Sequence, residues 1–309
     1  MHGHDGDNTL LHLDISTRGC GAATAVAECH EAFRQEVDPN VTETNVDGVA
    51  VGFADGVLHI GLDRPERKNA LDPPAIARIV HTLELAAVDD SLRVIVLRSS
   101  SGDFCTGADW VATNRGSDAP RPRAGSIQRR TPLGAHRLIE LLVEVQLPVV
   151  CAVQGWAAGL GCQIALAADF TVATESATFW EPFLERGFTP DSGATWLVPR
   201  LVGIARAKEL LLLGRKVTGR EAADWGLIHR SVTDDELDAV VDSLVTQLAN
   251  APTVALGLTK RAIHRALDSS LPDAMEAEAN ALELSSRSPD FKEGLAAFRE
   301  KRPPRFEGR

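Results

Sequence analysis

The chain has 309 residues, 44% hydrophobic and 24% charged, the composition of an ordinary soluble globule long enough for one large or two modest domains. A net charge of −11 excludes a general nucleic-acid or anionic-membrane binder, which needs a positive footprint, but leaves room for an anionic cofactor held by a few local cations. No run approaches the ~20 apolar residues of a membrane span, and five cysteines without metal-ligand spacing (Cys20, Cys29, Cys105, Cys151, Cys162) read as reduced thiols of a cytoplasmic protein with no metal site.

Residues 1–45 scatter Gly, Asp and Thr around one amphipathic helix, Ala22 to Val37, and read as an N-terminal extension, partly disordered or packed on a partner subunit. They begin with acids and histidines in place of a basic segment followed by an apolar one, so no secretion signal is expected. The body opens on a hairpin, Val49–Phe53 and Val57–Gly61 around Asp55-Gly56, a dipeptide that favours tight hairpin turns. Asp72 is placed to cap a helix with Pro73 at its first position, and Ile76, Ile79, Val80, Leu83 and Leu85 recur at helical spacing as far as Val88. Strand Val94–Leu97, a helix near Pro132–Val145, strand Val149–Val153, a helix opening at Gly159 and strand Phe170–Val172 follow. This alternation predicts crossover connections and a largely parallel sheet. From Ser192 the pattern is almost all helical: Thr195–Leu201, Ala205–Leu213, Gly219–Trp225, Asp234–Leu248, Thr253–Leu267, Pro272–Ser286 and Asp290–Lys301. The expected division is therefore an extension (1–45), an α/β core (46–200) and a helical region (201–309). Between Val111 and Thr131 the chain turns polar and irregular, either a lid over a substrate or a solvated insertion.

Two segments carry the chemistry: Phe104-Cys105-Thr106-Gly107-Ala108-Asp109-Trp110 and Gly155-Trp156-Ala157-Ala158-Gly159-Leu160-Gly161-Cys162-Gln163. Each follows an apolar β-type run and opens a helix-like segment, so backbone N–H groups at the two turns can converge on one point. Two convergent donors make an oxyanion hole; the bland alternative is that the glycines only permit tight turns. A dinucleotide-binding reading fails because Ile164 stands where a third glycine is needed, and a nucleophile elbow at Ser192 lacks the glycine two residues before it.

Together with Arg64-Pro65-Glu66-Arg67-Lys68-Asn69-Ala70-Leu71 upstream and Pro190-Asp191-Ser192-Gly193 downstream, these segments resemble the crotonase superfamily, the enoyl-CoA hydratases and isomerases, from about Val49 to the C-terminus. The resemblance implies an α/β fold of stacked ββα turns with a C-terminal helical trimerisation region. It implies an acyl-CoA thioester as substrate, coenzyme A as part of that substrate with no permanently bound cofactor, and a homotrimer or dimer of trimers. The implied donors to a thioester enolate are the backbone N–H groups of Ala108, directly after Gly107, and of Leu160, where many relatives carry glycine. Arg67, Lys68, Ala70 and the strand end Cys105–Asp109 are the implied coenzyme A contacts, Lys301 reaches a neighbouring subunit's coenzyme A, and Asp109 either caps the following helix or touches substrate.

Where the two-glutamate hydratases carry their acids, this chain has Gln163 and Phe183, left as acyl-pocket residues. The carboxylate in a matching place is Asp191, and one carboxylate suffices to move a proton along an enolate. Double-bond isomerisation with Asp191 as proton shuttle is therefore expected, unless Asp191 merely caps the next helix. Glu181 and Glu185 rank below it. The alternatives are a divergent hydratase and a non-catalytic acyl-CoA-binding member.

Overall fold

The computed structural model describes residues 44–100, 102–109 and 123–309. The Ala22–Val37 helix and most of the Val111–Thr131 segment lie outside them.

A seven-stranded sheet forms the centre, in the order β1-β2-β3-β4-β5-β7-β10: Thr44–Val46, Val49–Ala54, Val57–Leu62, Val94–Ser99, Val149–Val153, Phe170–Thr174 and Arg230–Val232. The β2–β3 hairpin is antiparallel, and Asp55 takes the left-handed conformation (φ 50°) before Gly56. From β3 to β10 the neighbours are parallel, as crossover helices require. β5 is buried along its whole length, matching its unbroken apolar sequence. A second sheet of three short strands, β6 (Trp156–Ala158), β8 (Thr178–Trp180) and β9 (Val217–Thr218), stands apart from the first.

The helices are α1 (Pro73–Ala86), α2 (Ser126–Arg130), α3 (Ala135–Glu144), α4 (Leu160–Ala167), α5 (Ala194–Leu213), α6 (Gly219–Asp224), α7 (Leu237–Ala249), α8 (Thr253–Ala266), α9 (Leu271–Ser285) and α10 (Pro289–Glu300). Asp72 caps α1 as its position predicts, its side chain accepting from the Ala75 N–H. The two helical segments read on either side of residue 203 are two helices, given the one label α5 and parted by Gly203 at φ 74° and ψ 168°. One face of the main sheet buries α1, α3, α4 and α5; the other buries α7 around Val241 and Val245. Lys260 of α8 reaches into the first of these layers, where its ammonium meets Asp169 at 2.7 Å and the carbonyls of Leu142 and Leu147 at 2.9 and 3.3 Å. Burial lowers its pKa and the Asp169 charge opposes that shift.

Candidate active site

The segments after β4 and β5 are laced together before they reach the site. Phe104 N–H donates to the Gln154 carbonyl, Cys105 N–H to Trp156 and Ala158 N–H back to Cys105, at 2.8, 2.9 and 2.9 Å. Three of the motif glycines are needed because of this contact. A Cβ on Gly161 would lie 2.2 Å from the Cys105 carbonyl oxygen, one on Gly155 would lie 2.6 Å from Asp103, and one on Gly107 would lie 2.8 Å from the Ala158 carbonyl oxygen. Gly107 and Gly159 also hold positive φ values of 97° and 52°.

The lacing aims two N–H groups at one space. Leu71 donates to the Gly107 carbonyl and accepts from Asp109 N–H, so the peptide groups on either side face Leu71 and the N–H of Ala108 faces away from it. Leu160 is the first residue of α4, where an N–H has no partner inside its helix. Neither N–H donates to another group among the described residues. Both residues line a cavity of about 430 Å³, with Leu71, Ile76, Phe183 and Phe188 among its apolar walls and Asp191 in its rim of polar groups. The first turn of α4 adds positive potential at the Leu160 N–H. The pair can hold an oxyanion.

Asp191 reaches the cavity through an unusual turn: Ser192 and Gly193 both have positive φ (49° and 83°), and α5 begins directly after them. The helix cap is made by the main chain, Ala194 N–H donating to the Asp191 carbonyl, with no side-chain cap bond. The carboxylate is thus not spent on the helix. Burial raises its pKa, against the lowering effects of a bond from Ser192 and of nearby His136. Asp109, the other carboxylate lining the cavity, is tied to Arg67 at 3.4 Å.

The remaining sequence candidates divide. Phe183 lines the cavity with its ring edge-on to Phe188. Gln163 and Cys105 have no exposed surface and are not among the cavity-lining residues; Gln163 donates at 2.6 Å to Glu181, which is itself buried. Lys68 is exposed near Asp103, and Ala70 gives its carbonyl to Arg64. Arg64, not singled out from sequence, braces this loop through Asp72 as well, and Asn69 pins it to the Asp103 carbonyl at 2.7 Å. Lys301 ends α10 in a left-handed conformation, exposed and apart from the cavity of its own chain. A second cavity, of about 470 Å³, lies around Lys260 and Asp169 and contains none of the motif residues.

The family model for enoyl-CoA hydratase/isomerase matches residues 52–309, five sixths of the sequence and every element just described around the cavity. The chain belongs to that family. Its relatives include the 1,2-epoxyphenylacetyl-CoA isomerase of Escherichia coli, 37% identical over 82% of this chain and 96% of the relative. A 4-chlorobenzoyl coenzyme A dehalogenase of an Arthrobacter species is 32% identical over 82% of this chain and 91% of its own. Among crystal structures, an enoyl-CoA hydratase from Bacillus anthracis superposes with a TM-score of 0.78 at 28% identity, covering 85% of this chain and all of that one. Membership makes the protein a crotonase-type enzyme with a crotonase fold. Family members with three different reaction names fall within this range of similarity, so the reaction must be argued from the side chains in the cavity.

Proposed function

We propose that the enzyme moves the double bond of an enoyl-CoA thioester, with the Ala108 and Leu160 amides holding the enolate oxygen and Asp191 carrying the proton. The observation behind this is the placement of carboxylates. Asp191 shares the cavity with both amides, Phe183 fills one glutamate position with an aromatic wall, and Gln163 fills the other without reaching the cavity. With the thioester oxygen on the two amides, the Asp191 carboxylate takes a proton from the α or γ carbon. The electron pair moves into the enolate, and the resulting carboxylic acid returns the proton at the other carbon. Nothing is added to the substrate. Arg67, Lys68, Ala70 and the loop through Asp109 are the proposed coenzyme A contacts. The similarity to an epoxyphenylacetyl-CoA isomerase favours the same class of chemistry.

Asp191→Asn keeps the volume and removes the base, so kcat should fall about 10²–10⁴-fold with little change in CoA affinity. In the wild type, kcat should drop on the acid side through a pKa above the ordinary 3.8, because the base must be ionised and its folded pKa is raised. Near-wild-type turnover in Asp191→Asn, or incorporation of labelled solvent oxygen into crotonyl-CoA, would replace isomerisation by hydration.

The working unit is proposed to be a homotrimer or a dimer of trimers. α9 buries none of its residues within the subunit, and Leu282, Leu284, Leu295 and Phe298 stand exposed along α9 and α10. Unpaired Cys105, Cys151 and Cys162 in the core support a reducing, cytoplasmic setting.

A further inference from the structure

Glu181 is a buried carboxyl group (2% exposed) that the proposed chemistry does not use. It lies directly after β8 and accepts from Gln163 Nε2 at 2.6 Å. The same Nε2 lies 3.3 Å from the carbonyl oxygen of Gly159, which also accepts from the Gln163 backbone N–H at 3.0 Å. In a trans peptide the carbonyl of one residue and the N–H of the next point in opposite directions. Fixing the Gly159 carbonyl therefore fixes the direction of the Leu160 N–H. From the other side, Gly159 N–H donates to the Trp180 carbonyl at 2.9 Å, so residues 180 and 181 grip one turn by main chain and by side chain. That turn needs a grip: Gly159 sits at φ 52°, ψ −123°, where no local preference holds it.

We infer that Glu181 is a positioning residue of the oxyanion hole, acting through Gln163 on the Gly159–Leu160 peptide. The inference rests on the reading of the Leu160 N–H as an oxyanion donor. Glu181 Oε2 and Gln163 Oε1 are both buried without a partner among the described residues, so the pair has room for a proton that a carboxylate would lack. Burial pushes Glu181 up to about 8, against the bonds from Gln163 and Cys162, and the Asp191 charge adds to the rise. The titratable groups bearing on it are thus Cys162 on α4, itself held well above its usual pKa by burial and by Glu181, and Asp191 ahead of α5. Lys216 and Arg186 lie instead against the Trp180 ring. Near neutrality the clasp joins an acid to an amide; at high pH it must hold a buried charge.

The test reads the hole itself. trans-Cinnamoyl-CoA bound to the full-length wild type should show its thioester C=O stretch shifted down by the two donors, measured by Raman difference spectroscopy. Glu181→Met keeps the bulk and removes the clasp. It should lose most of that shift and slow solvent-deuterium exchange into crotonyl-CoA by roughly 10–100-fold, below the 10²–10³ of deleting a donor outright, with KM changed less than threefold. Glu181→Gln, which can still hydrogen-bond Gln163, should keep both. In the wild type the shift should deepen as pH rises through about 8, because an ionised Glu181 accepts the Gln163 bond more strongly, and in Glu181→Gln it should not; this comparison holds even if Glu181→Met fails to fold. A full shift and full exchange in folded Glu181→Met, or the same high-pH change in Glu181→Gln, would overturn the role of Glu181 alone. A wild-type carbonyl that binds without shifting would overturn the two-amide reading and this inference with it.

Discussion

Gly161→Ala probes the contact that brings the two donor turns together. The added methyl would stand 2.2 Å from the Cys105 carbonyl oxygen and 2.7 Å from its Cβ. Comfortable carbon contacts begin at about 3.5 Å, so the Cys105 peptide must retreat by roughly 1 Å or more. Both neighbours of the clash are main chain or buried core, so no flexible side chain can swing aside. The retreat breaks the Ala158 N–H bond to Cys105 and strains the one from Cys105 N–H to Trp156, both 2.9 Å in the native chain. Overpacking costs about 1–3 kcal/mol, and a buried polar group left without its partner costs about 1–3 kcal/mol more. A loss of about 4 kcal/mol of stability is the central expectation. Because Ala108 and Leu160 lie just beyond these bonds, the spacing of the donors changes too, and kcat should fall about 10²–10³-fold. Gly226→Ala is the control: it sits at positive φ (73°), so alanine there is strained, but its Cβ would meet nothing closer than 4.0 Å. It should cost only about 1–2 kcal/mol and leave turnover alone. Urea unfolding and turnover at saturating enoyl-CoA measure both effects. A Gly161→Ala protein no less stable than Gly226→Ala, with wild-type kcat, would refute the reasoning.

Lys260→Met leaves the Asp169 carboxylate without its ammonium, with side chains only 8% and 15% exposed. It should destabilise by about 3–5 kcal/mol. Lys260→Met with Asp169→Asn should recover much of that in urea unfolding, and a double variant no better than the single would refute the charge-pair account. Light scattering should find the intact chain trimeric or hexameric. A version ending at Ser288 lacks α10 and its exposed Leu295 and Phe298, and should fall to smaller species; a monomeric intact chain, or a truncation that stays fully assembled, would remove these helices from the interface.

The parts legible in the sequence are those with local causes. Asp72 and Pro73 specify the start of α1, Asp55-Gly56 specifies the hairpin, and five consecutive apolar residues mark β5 as a fully buried strand. Ala108, Leu160 and Asp191 could be named because short motifs carry them, and the structure brings all three to one cavity. What escaped depends on pairing at a distance. β6, β8 and β9 are two or three residues long, too short for a period, and exist only because they find one another. The Gln163–Glu181 clasp escaped for the same reason. Its members are 18 residues apart and meet only because β6 pairs with β8. Gln163 therefore read as a cavity residue and Glu181 as a spare acid, until their burial against each other was visible. The break at Gly203, by contrast, was legible: the two helices read on either side of it are parted by a residue at φ 74° and ψ 168°, outside the helical region.

Both proposed donors are peptide groups, and this separates two properties that side-chain catalysts keep joined. Ala108 and Leu160 line the cavity, and on the proposed reading it is their amides that face the reacting oxygen. Any residue but proline keeps the donor, so size at positions 108 and 160 is free to reshape the acyl pocket. Substrate preference can therefore drift at these two positions while the electrostatics of the reaction stay fixed by the backbone.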